Sequence, residues 1–194
     1  VISHEHRFIF VHASRTGGSS LERMAGVPRT EDVRTRALGN TDFPDKHANF
    51  QHYHDRYPDE FRTHFKFTIV RNPFERLHSS WIWRTEIVRD LQGMTLRAFI
   101  ESRPPDYAFA AKFRLEGRSI EESVATFDHV ARFERIADEY RFLQRRLGLV
   151  GDGPPHTNRT TRRRYQDDYD GPTVALVRAR FAVDLTLFGY DFTP

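Results

Sequence analysis

Cysteine is absent from this chain of 194 residues, which removes disulfide cross-links, thiolate chemistry and zinc–sulfur sites from consideration. Lysine is scarce: the 30 basic residues divide into three Lys and 27 Arg. Guanidinium forks match phosphate and sulfate, although an Arg excess is also what a compositionally biased genome produces. Long apolar runs are missing too. Nothing approaches the roughly 20 consecutive apolar residues of a membrane-spanning helix, and no secretion signal is read, so a protein without a membrane span, working in the cytoplasm, is expected. No helix-turn-helix, zinc-finger or RNA-binding pattern accompanies the Arg residues, so nucleic acid is not an expected partner. No internal repeat and no dividing linker are seen, and one domain over residues 1–194 is expected.

What is present is a hydrophobic content of 38% with 17 Phe, enough to build a core around a sheet. Phe8 to Val11 form a short buried-strand run, and Gly17-Gly18 with Ser19 and Ser20 predict a turn and a helix starting near residue 19. Residues 26–45 read as a loop or short irregular strand. A polar helix over 49–61 is interrupted at Pro58. Phe65, Phe67, Ile69 and Val70 mark a second buried strand, and Pro73 suits the first turn of the helix that follows. Leu77, Trp81, Ile82, Ile87 and Leu91 would stripe that helix, with shorter helices at 94–101 and 119–126. A third strand closes near Val130 and Phe133 ahead of a helix over 134–147 that Gly148 stops. A final helix from Gly171-Pro172 carries Val174, Val177, Phe181 and Leu185. This alternation predicts a three-layer, P-loop-like α/β domain with a mostly parallel central sheet, whose ligands bind beyond the carboxyl ends of the strands.

Two segments carry the chemistry, and each begins where a strand ends. In the first, His12-Ala13-Ser14-Arg15-Thr16-Gly17-Gly18-Ser19-Ser20, backbone amides can wrap an anion. Arg15 can reach over it, and Thr16, Ser19 and Ser20 can donate from their hydroxyls. The phosphate loop GxxxxGK[ST] is not matched, because its leading Gly and its Lys are missing, which disfavours an ATP-dependent kinase with a Walker loop. The bland alternative is a Gly/Ser turn with an exposed Arg. In the second segment, Arg71-Asn72-Pro73-Phe74-Glu75-Arg76-Leu77-His78-Ser79, Arg71 leaves the strand end and Ser79 lies two turns into the helix, so both can approach one phosphate. The bland alternative pairs Arg76 with Glu75 or another carboxylate and packs Ser79 against a neighbouring helix. Two anion sites imply a ligand with two separated anionic groups.

This pair resembles the nucleotide-binding signatures of sulfotransferases that use 3′-phosphoadenosine 5′-phosphosulfate, especially the carbohydrate-type branch. The resemblance assigns Arg15, Thr16, Gly17, Gly18, Ser19 and Ser20 to the 5′ end of the cofactor, and Arg71 and Ser79 to its 3′-phosphate. Further landmarks follow in the family's order: Lys46-His47-Ala48, Arg132-Phe133-Glu134, His156-Thr157-Asn158-Arg159-Thr160 and Leu187-Phe188-Gly189-Tyr190-Asp191-Phe192. The first loop departs from the family by carrying Ser14-Arg15 where Pro-Lys is usual, which changes the group expected against the oxygen bridging phosphate and sulfate.

The implied activity is sulfuryl transfer to a hydroxyl of a small molecule or carbohydrate, leaving 3′-phosphoadenosine 5′-phosphate, with no metal required. His47 is the expected general base, since an imidazole with pKa near 6.5 suits proton acceptance at neutral pH, and His12 is the next candidate. Arg15 is the third catalytic candidate, placed to neutralise charge on the leaving group. Arg159 and Arg163, within a run completed by Arg162 and Arg164, either cover the cofactor's phosphates, attract an acidic acceptor, or form a solvated surface. Trp83 either lines an acceptor cleft or an oligomer contact, or is partly buried in the ordinary way. Two other functions compete: a phosphoryl transferase with an atypical anion loop, and a nucleotide-binding relative that has lost turnover.

Overall fold

The computed structural model describes residues 1–24, 48–149 and 164–193. Its contacts divide the chain into two compact units, one of residues 1–70 and 112–155, the other of residues 71–111 and 156–194.

The first unit holds a four-stranded sheet in the order β1 (Ile2–Ser3), β2 (Phe8–Val11), β3 (Phe65–Val70), β4 (His129–Arg132). β2, β3 and β4 run parallel, and β1 pairs antiparallel with β2 at the edge. Burial on both faces is what a parallel sheet demands, and all four residues of β2 are buried. The register sets Phe10 beside Phe67 and Ile69 beside Ala131, so these side chains share one face. That face joins Leu21 of α1 (Gly18–Met24) and Tyr140, Leu143 and Leu147 of α8 (Ile136–Leu147) in a single apolar cluster. Phe10 and Phe67 stack with centroids 4.9 Å apart. A second aromatic group, Phe50, Phe61, Phe113 and Phe127, joins α2 (Phe50–Arg56), α3 (Pro58–Thr63) and the segment ahead of β4.

The second unit is helical. α4 (Pro73–Ile82) starts at an Asn72 cap, whose side chain accepts from the Phe74 amide, with Pro73 in the first turn as the sequence predicts. Phe74 and Leu77 pack with Leu96, Phe99 and Ile100 of α5 (Leu96–Glu101) and with Val177, Phe181 and Leu185.

Several boundaries differ from expectation. The helix or helical turn expected at 49–61 is interrupted at Pro58 as read, but α3 runs on to Thr63, and buried Phe50, Tyr53 and Phe61 make the stretch less polar than expected. The third strand ends at Arg132, because Phe133–Arg135 form a 3-10 turn that feeds α8. The last helix is broken at Phe181 into α9 (Gly171–Arg180) and α10 (Ala182–Phe188). α6 (Phe109–Phe113) was not anticipated, whereas α7 (Ile120–Ala125) falls where a short helix was expected and opens with a capping box at Ser119. The stripe after α4 fails at Ile87, which is 62% exposed. A π turn over Trp83–Ile87 inserts one extra residue per turn, and Val88 donates to the Trp83 carbonyl across it. The insertion rotates the helical face, taking Ile87 off the buried stripe.

Candidate functional site

The first anion segment lies in the first unit, as the connection from β2 to α1. Arg15 (φ +64°) and Gly17 (φ +82°) both take the left-handed conformation. Two left-handed residues this close together turn the chain sharply between the strand and the helix. The side chains then sort by burial. Ser14, Arg15, Gly17 and Ser19 are partly exposed, whereas Thr16, Gly18 and Ser20 are buried beneath them. Thr16 is fully buried and its hydroxyl donates to the Ala13 carbonyl at 2.7 Å, cinching the turn. The Ser20 amide donates to the Gly17 carbonyl at 2.9 Å, so that donor is already engaged within the loop.

Both glycines answer to packing. A Cβ on Gly18 would lie 2.4 Å from the His12 ring and 2.8 Å from Phe10, so any side chain there would have to displace a buried ring. On Gly17 it would lie 3.0 Å from the Tyr140 hydroxyl and 3.4 Å from Phe133. His12 itself is 3% exposed and stacked on Phe10, with Nδ1 2.6 Å from Oε1 of the buried Glu22. Sequence reasoning did not single out Glu22 or Tyr140. Glu22 lies within α1, beyond that segment, and only folding shows that its carboxylate meets the His12 ring. Tyr140 carried the signal of a core stripe position and nothing more.

The second segment belongs to the second unit. Arg71, Glu75 and Ser79 follow one another at intervals of four residues, which places Glu75 and Ser79 on one face of α4. The Arg71 guanidinium donates to Glu75 at 3.2 Å, and Ser79 is 4% exposed. Glu75 thus pairs with Arg71, and Arg76 goes elsewhere. Arg76 is buried between the rings of Tyr107 and Phe109, 4.2 and 4.3 Å from their centroids, and donates to the Tyr107 carbonyl at 2.8 Å. Burial pulls its guanidinium below the usual range, with Tyr107 and Asp184 opposing the shift. His78 pairs with Asp168 at 2.8 Å, both side chains being buried, as suits a structural histidine. The landmark at 187–192 seats the start of α4: Asn72 donates to the Asp191 carbonyl at 2.9 Å, and Phe192 packs edge-on against Phe74. Trp81 packs into the helical core and donates to the Met94 carbonyl at 2.7 Å, whereas Trp83 is 39% exposed.

His47, Arg159 and Arg163 lie outside the described residues, as do Lys46 and Arg162. Among the described residues, no group of three or more His, Cys, Asp or Glu is placed to hold a metal ion, and no helix is long and apolar enough to cross a membrane.

A family model described as the sulfotransferase family matches residues 1–191. With nearly the whole chain matched, this protein belongs to the sulfotransferase family. No curated protein and no solved structure matches it. Membership points to sulfuryl transfer from 3′-phosphoadenosine 5′-phosphosulfate as the broad class of activity. Within the first unit Arg15, Ser19 and the loop amides are cationic or neutral donors, and so, within the second, are Arg71 and Ser79.

Proposed function

We propose that this chain transfers a sulfuryl group from 3′-phosphoadenosine 5′-phosphosulfate to a hydroxyl of a small molecule or carbohydrate, as one catalytic domain over residues 1–194 in the carbohydrate-type, three-layer P-loop-like pattern. The observation that carries the reading is the loop of residues 14–19, with Arg15, Gly17 and Ser19 partly exposed over a buried floor, in a chain the family model spans.

The cofactor supplies the sulfuryl group and a phosphate leaving group. Arg15, Ser19 and the amides of the loop hold its 5′ end and neutralise charge as it develops there, which is the main protein contribution to transfers of this kind. Thr16 and Ser20 support that end from below. Arg71 and Ser79 hold the 3′-phosphate, with Arg159 and Arg163 adding positive charge. Glu75 tempers Arg71 by competing for its guanidinium. His47 takes the proton from the acceptor hydroxyl. The buried pairing of His12 with Glu22 supports a positioning part for His12 beneath the loop in place of direct proton transfer.

Calorimetry, run without divalent metal for the bisphosphate and with Mg²⁺ for ATP, tests this reading. The protein should bind 3′-phosphoadenosine 5′-phosphate more tightly than ATP with Mg²⁺ and should transfer sulfate from the activated donor to a hydroxyl acceptor. The opposite nucleotide preference would favour phosphoryl transfer, and binding without turnover in any acceptor screen would favour the inactive relative. Full turnover by H47A would remove His47 as the base.

A further inference from the structure

The peptide joining Gly17 to Gly18 is the softest plane in the anion loop. Neither neighbour carries a Cβ, so the plane can rotate with little steric resistance. Its orientation decides what an anion meets. In a trans peptide the carbonyl of residue 17 and the N–H of residue 18 point in opposite directions, and the described chain contains no cis peptide bond. Turned one way the plane offers a donor to the open side of the loop, and turned the other way it offers a carbonyl oxygen, which repels an anion.

Two bonds hold it. The Gly17 carbonyl accepts from the Tyr140 hydroxyl at 2.6 Å and from the Ser20 amide at 2.9 Å. The first reaches across 123 residues from α8, whose stop at Gly148 and apolar stripe anchor it on the sheet. Tyr140 is 2% exposed and its ring belongs to the same core cluster as Phe10 and Phe67, so its hydroxyl is aimed by a rigid side chain. Gly17 in turn has no Cβ to crowd that hydroxyl.

From this arrangement we infer that Tyr140 is a positioning residue for the anion loop, locking the Gly17–Gly18 peptide with its carbonyl toward α8 so that the Gly18 amide faces away from that carbonyl. This rests on the reading of residues 15–20 as the 5′ anion site. Tyr140 does not touch the cofactor. It acts by preventing a flip that would place a negative dipole end against the 5′ phosphate.

Calorimetric titration of wild type, Y140F and L143A with 3′-phosphoadenosine 5′-phosphate and with adenosine 3′-monophosphate tests the inference. Y140F keeps the ring and leaves the Gly17 carbonyl with its Ser20 bond, so folding should persist. Its affinity for the bisphosphate should fall about three- to tenfold, the worth of one hydrogen bond, while its affinity for the 3′-monophosphate stays at the wild-type value. L143A, which loses core packing on the same helix, should lower Tm without changing the ratio of the two affinities. Equal loss toward both nucleotides in Y140F, the same altered ratio in L143A, or no loss in Y140F would overturn the positioning role. Failure of the wild type to bind the bisphosphate would instead sink the site reading, and the inference with it.

Discussion

Arg15 is held with φ at +64°, a conformation that costs a residue with a Cβ about 1–2 kcal/mol and that glycine adopts freely. An arginine kept at such a position trades stability for its guanidinium, and the family's usual Lys would supply charge there with a narrower reach. Replacement by glycine separates the two contributions. Arg15→Gly should leave Tm within about 3 °C of wild type or higher, since 1 kcal/mol moves Tm by about 2–4 °C at this chain length. It should also weaken calorimetric binding of 3′-phosphoadenosine 5′-phosphate by about tenfold or more, the worth of a charge-assisted contact. A fall in Tm with unchanged affinity would make Arg15 a structural residue. The same scale explains why Arg76 and Arg71 trade the roles their neighbours in sequence suggest. Arg76 points into the ring pair of Tyr107 and Phe109, which leaves Glu75 to its i−4 neighbour Arg71.

At the scale of elements, short helices depend on bonds from distant chain segments, because a helix of five or six residues barely stabilises itself. Asp184 of α10 shows how this is met. It is 1% exposed, and its carboxylate accepts from the amides of Phe109 at 2.7 Å and Ala110 at 2.8 Å, donors in the first turn of α6 that the helix ladder does not use. Burial pushes the Asp184 carboxyl above the usual carboxylate range, while the two amide bonds and then Arg76 pull it back. Asp184→Ala should therefore cost about 3 kcal/mol in urea unfolding by removing the acceptor of both bonds, and Asp184→Asn, which keeps one acceptor oxygen, about half of that. A loss below about 0.5 kcal/mol in the alanine variant would show that α6 is capped by other means. The sequence offers no sign of this, since the partners stand 74 and 75 residues apart. The π turn after α4 was equally hidden, because Ile87 and Leu91 fit a continuous helical stripe on paper.

Stability against pH belongs to the whole molecule, and His64 contributes a term whose sign follows from its surroundings. Its Nε2 is buried without a hydrogen-bond partner, and its Nδ1 lies 3.1 Å from the Thr63 hydroxyl. Burial lowers its pKa below the ordinary 6.5, with Glu60 opposing and His4, Arg7 and Lys66 reinforcing the shift. The folded state thus takes up this proton less readily than the unfolded chain. The His64 contribution is fully present above about pH 6.5 and is lost as pH falls below it toward the folded pKa. Thermal unfolding between pH 7.5 and 5 should show wild type losing more Tm than His64→Phe, and equal losses would refute the assignment. Much of the architecture was readable beforehand for the same physical reason throughout: local signals report local structure. An apolar run marks β2, Phe65, Phe67, Ile69 and Val70 mark β3, Asn72-Pro73 marks the start of α4, and Gly148 marks the end of α8. The ordered motifs also point to the sulfotransferase family that the family model matches. Residue order by itself settled strands β2 and β3 and the helix starts that carry their own caps, because these depend on neighbours within a few positions. Tertiary structure alone decided that Glu22 pairs with His12, that Tyr140 holds the Gly17 carbonyl and that Asp184 caps α6, because bonds made by side chains to partners beyond the next turn leave no periodic trace in the chain.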